Sequence, residues 1–211
     1  MNVIDTKPVG KIILNEQTPE RKKRVEHYLI PYYQRGYRWD EGNVTALLGD
    51  IHNFRPTDKE AKYCLQPIVV IPSKDKDDHN IWEVIDGQQR LITLYIIFKV
   101  IAKPRYNIIF EKRDRSNDFL ERLEEGNYSD ENPDFHFMSQ AHKICTHWFD
   151  EKSKNDVGYI DDFNAKLTKK VELIWYQVEE LAGIINSDEA ENKKIDIFNR
   201  LNIGKIPLDG C

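Results

Sequence analysis

Cysteine is scarce in this chain, and that scarcity excludes several chemistries. Cys64, Cys145 and Cys211 are its three cysteines in 211 residues, and no two form a Cys-x-x-Cys pair. An odd, unclustered set gives no disulfide framework and suits a reducing, cytoplasmic setting. Long apolar runs are missing as well: none approaches the ~20 residues that cross a bilayer, and the N-terminus lacks a secretory hydrophobic region. The expectation is a soluble protein without a membrane partner. There is no basic surplus either, since 31 Lys and Arg stand against 36 Asp and Glu for a net charge of −5. A dedicated, sequence-independent DNA binder would need a basic face. A local patch stays open, and Arg21-Lys22-Lys23-Arg24 is the densest cluster, although such a run equally makes a solvated helix face. No Walker A signature and no His-Asn-His pattern occurs, so neither a P-loop nor a nuclease centre is legible. His142, Cys145 and His147 invite a zinc reading, which we reject because no second cluster completes four ligands. No metal site of the protein's own is predicted.

What is present is organised around Ile81 to Leu94. Trp82-Glu83-Val84-Ile85 has the composition of a buried strand. Asp86-Gly87 punctuates it, and from Leu91 the apolar residues Leu91, Leu94, Tyr95, Phe98 and Ile101 fall at helical spacing. Ile92, Ile96, Ile97 and Val100 fill most of the remaining circumference, so this helix belongs in the middle of a domain. Its polar residues gather in the first turn, as Gln88, Gln89 and Arg90, with Thr93 one turn on. Free N–H groups, two amides and a guanidinium at one end of a buried helix are the parts of an anion site. The same residues also fit an ordinary strand–turn–helix junction whose arginine pairs with a nearby carboxylate.

The rest of the chain predicts a mixed α+β domain. Short strands are expected at Lys11–Leu14, Arg105–Phe110 and Val171–Val178, and a buried strand at Ile68–Ile71 within Tyr63–Pro72. A hairpin connection through residues 74–80 then joins that strand to the Trp82 strand. Pro19–Tyr28 reads as a charged helix or turn. Asp40–Phe54 reads as a helix capped by Asp40, with Asp50 a surface carboxylate or, less readily, a metal ligand. Phe119–Leu123 and Phe135–Lys152 read as helices flanking an acidic loop, and Glu189–Leu201 as a helix ending at Asn202-Ile203-Gly204. Pro31 and Gly36 make a helix unfavourable over Tyr32–Arg35. That segment reads as a loop carrying Gln34, Arg35 and Arg38, whose aromatic neighbours Tyr32, Tyr33, Tyr37 and Trp39 also suit core or rim positions with arginine stacked on them.

Three blocks carry a family resemblance: Ile30-Pro31-Tyr32-Tyr33-Gln34-Arg35-Gly36-Tyr37-Arg38-Trp39, Val84-Ile85-Asp86-Gly87-Gln88-Gln89-Arg90-Leu91-Ile92-Thr93-Leu94, and Ile197-Phe198-Asn199-Arg200-Leu201-Asn202-Ile203-Gly204-Lys205-Ile206-Pro207-Leu208. With them the chain resembles the N-terminal domains of GmrSD-type, modification-dependent restriction systems, whose fold is related to ParB and sulfiredoxin. The resemblance implies a single domain over 1–211: a small mixed sheet with a buried central helix, plus a mainly helical insertion at about 105–165. It also implies continuation or a partner beyond 211.

The function it implies is a nucleoside-triphosphate-binding and hydrolysing regulator of a DNA nuclease in restriction or phage defence. The alternative is a non-catalytic nucleotide- or DNA-binding interaction module. The implied cofactor is a nucleoside triphosphate with Mg²⁺. The implied partner is an HNH-type nuclease domain or subunit, with DNA met indirectly or through a local basic patch. Gln34, Arg35, Arg38, Gly87, Arg90, Thr93, Asn199, Arg200 and Asn202 are the implied nucleotide- and phosphate-binding set. Asn199, Arg200 and Asn202 also suit a plain helix C-terminus. Gln88, Gln89 and Asp86 are the catalytic candidates, with Gln88 facing phosphate and Gln89 supporting it. Asp86 can cap the helix, hold a metal-bound water or act as base, and capping ranks first. Where sulfiredoxin carries Cys and His after its glycine, this chain has Gln88 and Gln89; lacking a thiolate there, it is not expected to do sulfur chemistry.

Overall fold

The computed structural model describes residues 2–12, 14–15, 24–72, 81–101, 106–178 and 192–196. In chain order the elements are β1 (Val3–Pro8), α1 (Val9–Ile12), β2 (Leu14–Asn15), β3 (Arg24–Ile30), α2 (Glu41–Asn53), β4 (Tyr63–Pro72), β5 (Ile81–Asp86), α3 (Gln88–Ile101), β6 (Tyr106–Phe110), α4 (Asp114–Arg122), α5 (Pro133–Ser153), α6 (Tyr159–Lys170) and β7 (Val171–Gln177). The strands make a seven-stranded mixed sheet in the order β1-β7-β4-β5-β3, with β2 and β6 both paired to β3. β4 and β5 are antiparallel, as the hairpin expectation required, while β5 and β6 both run parallel to β3. The chain is α+β, a mixed sheet served by a buried central helix.

The strand period of two explains the layering. Ile68, Val70 and Val84 join the main hydrophobic cluster, whereas Val69, Ile71 and Ile85 form a second cluster with Val178. Alternate residues therefore serve opposite faces. On the main face lies α3, buried at every position from Leu91 to Phe98. Burying one such leucine or isoleucine side chain stabilises the fold by roughly 1.5–3 kcal/mol. α5 packs over α3 and also against α2, α4 and α6. The phenol of Tyr106 reaches under α3 to bond the Leu91 carbonyl at 2.6 Å, fixing the helix to the neighbouring strand.

Two local expectations are overturned. Residues 11–12 close the short helix α1, and the strand begins only at Leu14. The charged segment before Ile30 is strand from Arg24 onward, not helix or turn. Its pairing with β2, β5 and β6 outweighs a local pattern that carries little strand signal. β1 and α6 fall where the sequence pattern announces no element. Asp40 does cap α2, in a reciprocal capping box with Asn43. Asp50 accepts a hydrogen bond from the Tyr63 phenol at 2.9 Å. No described helix is long and apolar enough to cross a membrane. The hairpin connection over 74–80 and the block over 197–208 lie outside the described residues.

Candidate functional site at the head of the central helix

The turn from β5 into α3 is built on a defect in β4. The register of β4 shifts between Leu65 and Ile68 against β7, and between Val69 and Val70 against β5. Proline in a strand is tolerated at such bulges because its missing N–H is not needed there. Gly87 nests against this bulge at φ +92°, where a Cβ would meet the Pro67 carbonyl oxygen at 2.9 Å and Ile68 Cγ1 at 3.0 Å. Both the dihedral and the contact demand glycine. Gly87→Ala should therefore lose about 1–3 kcal/mol of stability, read as a lowered melting temperature; an unchanged melt would mean that the turn relaxes freely.

Gly87 occupies the cap position of α3, its carbonyl accepting from Leu91 N–H at 3.1 Å. Asp86 stands one residue earlier, as the last residue of β5. Arg90 turns back over the bulge, donating from Nη1 to the Pro67 carbonyl at 2.8 Å and from Nη2 to Gln66 Oε1 at 2.7 Å. Burial draws its guanidinium below the ordinary arginine value, and the Asp86 carboxylate opposes that fall.

The first block wraps the same helix head. The Gln89 side chain is used at both ends: Nε2 donates to the Gly36 carbonyl at 2.9 Å, and Oε1 accepts from Arg38 N–H at 2.7 Å. Gln88 donates from Nε2 to the Arg35 carbonyl at 2.8 Å. Gln34 donates from Nε2 to the carbonyls of Val84 and Ile85, the latter at 3.0 Å. Thr93 Oγ1 donates to the Gln89 carbonyl and meets the Tyr37 phenol, both at 2.8 Å. Burial pushes that phenol far up, so Tyr37 stays neutral.

Gln34 and Gln88 are 4% and 6% exposed, and the Oε1 atom of each is buried with no partner among the described residues. Orphaned buried acceptors are uncommon and destabilising. Both belong to the seam between the first block and α3, beside the exposed Arg35. The first N–H groups of α3 have no intrahelical acceptor by helical geometry.

Of the residues expected at the site, the structure thus gathers Gln34, Arg35, Arg38, Asp86, Gly87, Gln88, Gln89, Arg90 and Thr93 around one helix head. Asn199, Arg200 and Asn202 lie outside the described residues. Residues 192–196 are helical, and Lys194 forms an ion pair with the buried Glu83 of β5, a residue that by strand alternation shares the face of Ile85 and not that of α3.

One residue of this neighbourhood has no signal in the sequence. Asp134, in the first turn of α5, is 6% exposed and pairs with Arg38 Nη1 at 2.7 Å and Arg113 Nη1 at 3.4 Å, while Ser116 Oγ donates to it at 3.3 Å. Gly36 makes room for it, since a Cβ there would fall 1.7 Å from Asp134 Oδ1. Asn132-Pro133-Asp134 signals only a helix start, and indeed Asn132 caps α5. The approach to Gly36 is visible only in three dimensions.

No curated protein matches the chain. The family model described as "GmrSD restriction endonuclease, N-terminal domain" matches residues 11–210. That span covers nearly the whole chain and all three blocks, so the chain belongs to the family of N-terminal domains of GmrSD restriction endonucleases.

Proposed function

We propose that the domain is the nucleotide-dependent regulatory part of a GmrSD-type restriction system, binding a nucleoside triphosphate at the head of α3 and hydrolysing it to control a partner HNH-type nuclease domain or subunit. The observation that carries this reading is the pair of buried amide oxygens on Gln34 and Gln88, each held by donation from its own Nε2. Such oxygens call for a hydrogen-bond donor from a ligand or an ordered water. The neighbouring N–H groups and the exposed Arg35 guanidinium call for an anion. A triphosphate with its attacking water satisfies both demands.

In this reading Arg35 and the amides of the α3 head hold phosphate oxygens, and Gln88 orients water. Gln89 holds the first block in place, and Thr93 locks Gln89's own turn to Tyr37. Mg²⁺ would enter on the phosphates, with Asp86 the carboxylate at the turn. Asn199, Arg200 and Asn202 enter this reading as further phosphate ligands, on the strength of the family resemblance alone. Kinship of the core to ParB and sulfiredoxin belongs to the same reading.

The engagement of Arg90 with β4 favours a second reading, a non-catalytic module that signals by conformation. A phosphate that recruits the Arg90 guanidinium must release Pro67 and Gln66, and so disturb the bulge. Thermal melting with each of the four triphosphates, with and without Mg²⁺, tests binding in either case. At about 100-fold excess over Kd the gain is roughly 2.7 kcal/mol, or about 5–10 °C for a domain of this size. No shift with any triphosphate would sink the first reading and restrict the second to a ligand other than a nucleotide; a shift without phosphate release would leave the second with a nucleotide ligand.

A further inference from the structure

The two ends of the sheet differ in how their outer strands are finished. At one end β1 is blunted: the Thr6 N–H is taken by Asp5 Oδ1 at 2.8 Å, and Pro8 has no N–H to offer. At the other end β6 pairs with β3 alone among the described strands. The Phe110 N–H points away from β3, since it donates to Asn117 Oδ1 of α4 at 2.6 Å, whereas the Glu111 N–H reaches back to the Ile30 carbonyl. Main-chain groups alternate in direction along a strand, so Ile108 also turns its N–H and carbonyl outward. Neither group has a protein partner among the described residues.

A groove of about 320 Å³ runs along this open edge, between β6 and α4. Ile108, Leu120 and Tyr95 give it an apolar floor, and Asn107 stands across β6 beside its registered neighbour His27. No lysine or arginine lines it, and its carboxylate is the exposed Glu121. Lys99 reaches only the Glu121 carbonyl, at 2.7 Å, and the carboxylate makes no ion pair among the described residues. Helical spacing puts the exposed Asp118 on the same face of α4 as Asn117 and Glu121. The field in the groove is negative: burial and the Glu121 carboxylate both push the Tyr95 phenol up.

We propose that this edge receives an extended segment of a partner protein as an added strand, with an apolar side chain on the groove floor and a lysine or arginine on Glu121. In such strand addition, main-chain hydrogen bonds to the edge give affinity and alternate side chains give specificity. Asn117 already plays the part of the missing strand at Phe110. The spacings match as well. Four residues of α4, from Asn117 to Glu121, advance ~6 Å, and two residues of a strand advance ~6.6 Å. Alternate residues of the added strand therefore meet successive turns of α4, one against Ile108 and Leu120 and the next against Glu121 and Asp118. A phosphate is the wrong ligand here, because an acidic wall without a cation repels it. The inference goes beyond the nucleotide reading and does not depend on it.

The test is a selection from phage-displayed random peptides of about seven residues, an ordinary strand length, on the immobilised full chain without nucleotide. The enriched peptides should share an apolar residue and, two places along, a lysine or arginine. A synthetic peptide of that sequence should bind Glu121→Lys about tenfold more weakly than wild type, and Glu121→Gln about threefold, because a charge-assisted bond is lost. Both variants alter an exposed side chain, and melting curves check that they fold; should the lysine variant fail, the glutamine variant carries the comparison. On binding, hydrogen exchange should slow at the Ile108 amide. No enrichment, enrichment without a basic residue, equal affinity in both variants, or protection that spares Ile108 overturns the inference. Two other occupants are distinguished by the same proteins. If peptides are selected only on a chain with Arg21→Ser, Lys22→Ser and Lys23→Ser, the groove belongs to the chain's own basic segment, and the partner is wrong. If sedimentation shows a wild-type dimer that Glu121→Lys dissolves, the occupant is a second copy, and the partner is again wrong.

Discussion

Gln89→Leu should lose about 2–5 kcal/mol of stability, a large fraction of what holds a domain of this size together. Leucine keeps the volume but removes both hydrogen bonds of an amide that is only 8% exposed. The Gly36 carbonyl and the Arg38 N–H are left facing an apolar group, and each buried group left unpaired costs about 1–3 kcal/mol. The effect should fall on the first block before the core, because α3 itself is held by its apolar surface and by Tyr106. Chemical denaturation would report the global loss. Hydrogen exchange would then place early opening at residues 34–38. Stability within about 0.5 kcal/mol of wild type, or uniform protection across residues 34–38, would contradict the clamp.

That clamp illustrates what the sequence can and cannot convey. Adjacent positions on a helix point about 100° apart, so Gln88 and Gln89 have to differ in role, and they do. Gln89 spends both ends on the backbone of the first block, whereas Gln88 keeps one oxygen uncommitted. The buried character of α3 and the strand before it are equally legible, because an apolar run bounded by Asp86-Gly87 admits few other arrangements. Arg90 reads in sequence as a phosphate ligand or as the partner of a nearby carboxylate, and the structure places its guanidinium on the β4 bulge. A bulge comes from a register between strands distant in sequence, and no local pattern announces it. β3 is illegible for a related reason: its strand state is imposed by pairing with β5 and β6. Asp134 lies nearly a hundred residues from Arg38, in a stretch where an acidic residue after Asn-Pro signals nothing beyond a helix start.

Gln88→Leu should leave triphosphate affinity within about threefold of wild type and slow hydrolysis by about 10²–10³, the range lost when one preorganised polar group is removed from a reacting centre. Affinity survives because Gln88 holds no charge, so the ground state keeps Arg35 and the N–H groups of the α3 head. The rate falls because an oxygen that orients water acts chiefly in the transition state, where the removed interaction is not repaid by binding. Leucine also deletes the 2.8 Å bond to the Arg35 carbonyl, which by itself loosens the first block. Gln88→Glu separates the two contributions. A carboxylate retains an acceptor for water but cannot donate to the Arg35 carbonyl, and its charge repels the triphosphate, so at saturating nucleotide it should lose the positional bond while keeping more of the rate than leucine does. Single-turnover hydrolysis and equilibrium binding on both variants, beside their melting curves, decide the matter. If leucine and glutamate lower the rate equally and in step with stability, Gln88 serves the loop rather than the water. If affinity and rate fall together in both, the amide is a ground-state ligand and the domain's chemistry must be sought elsewhere.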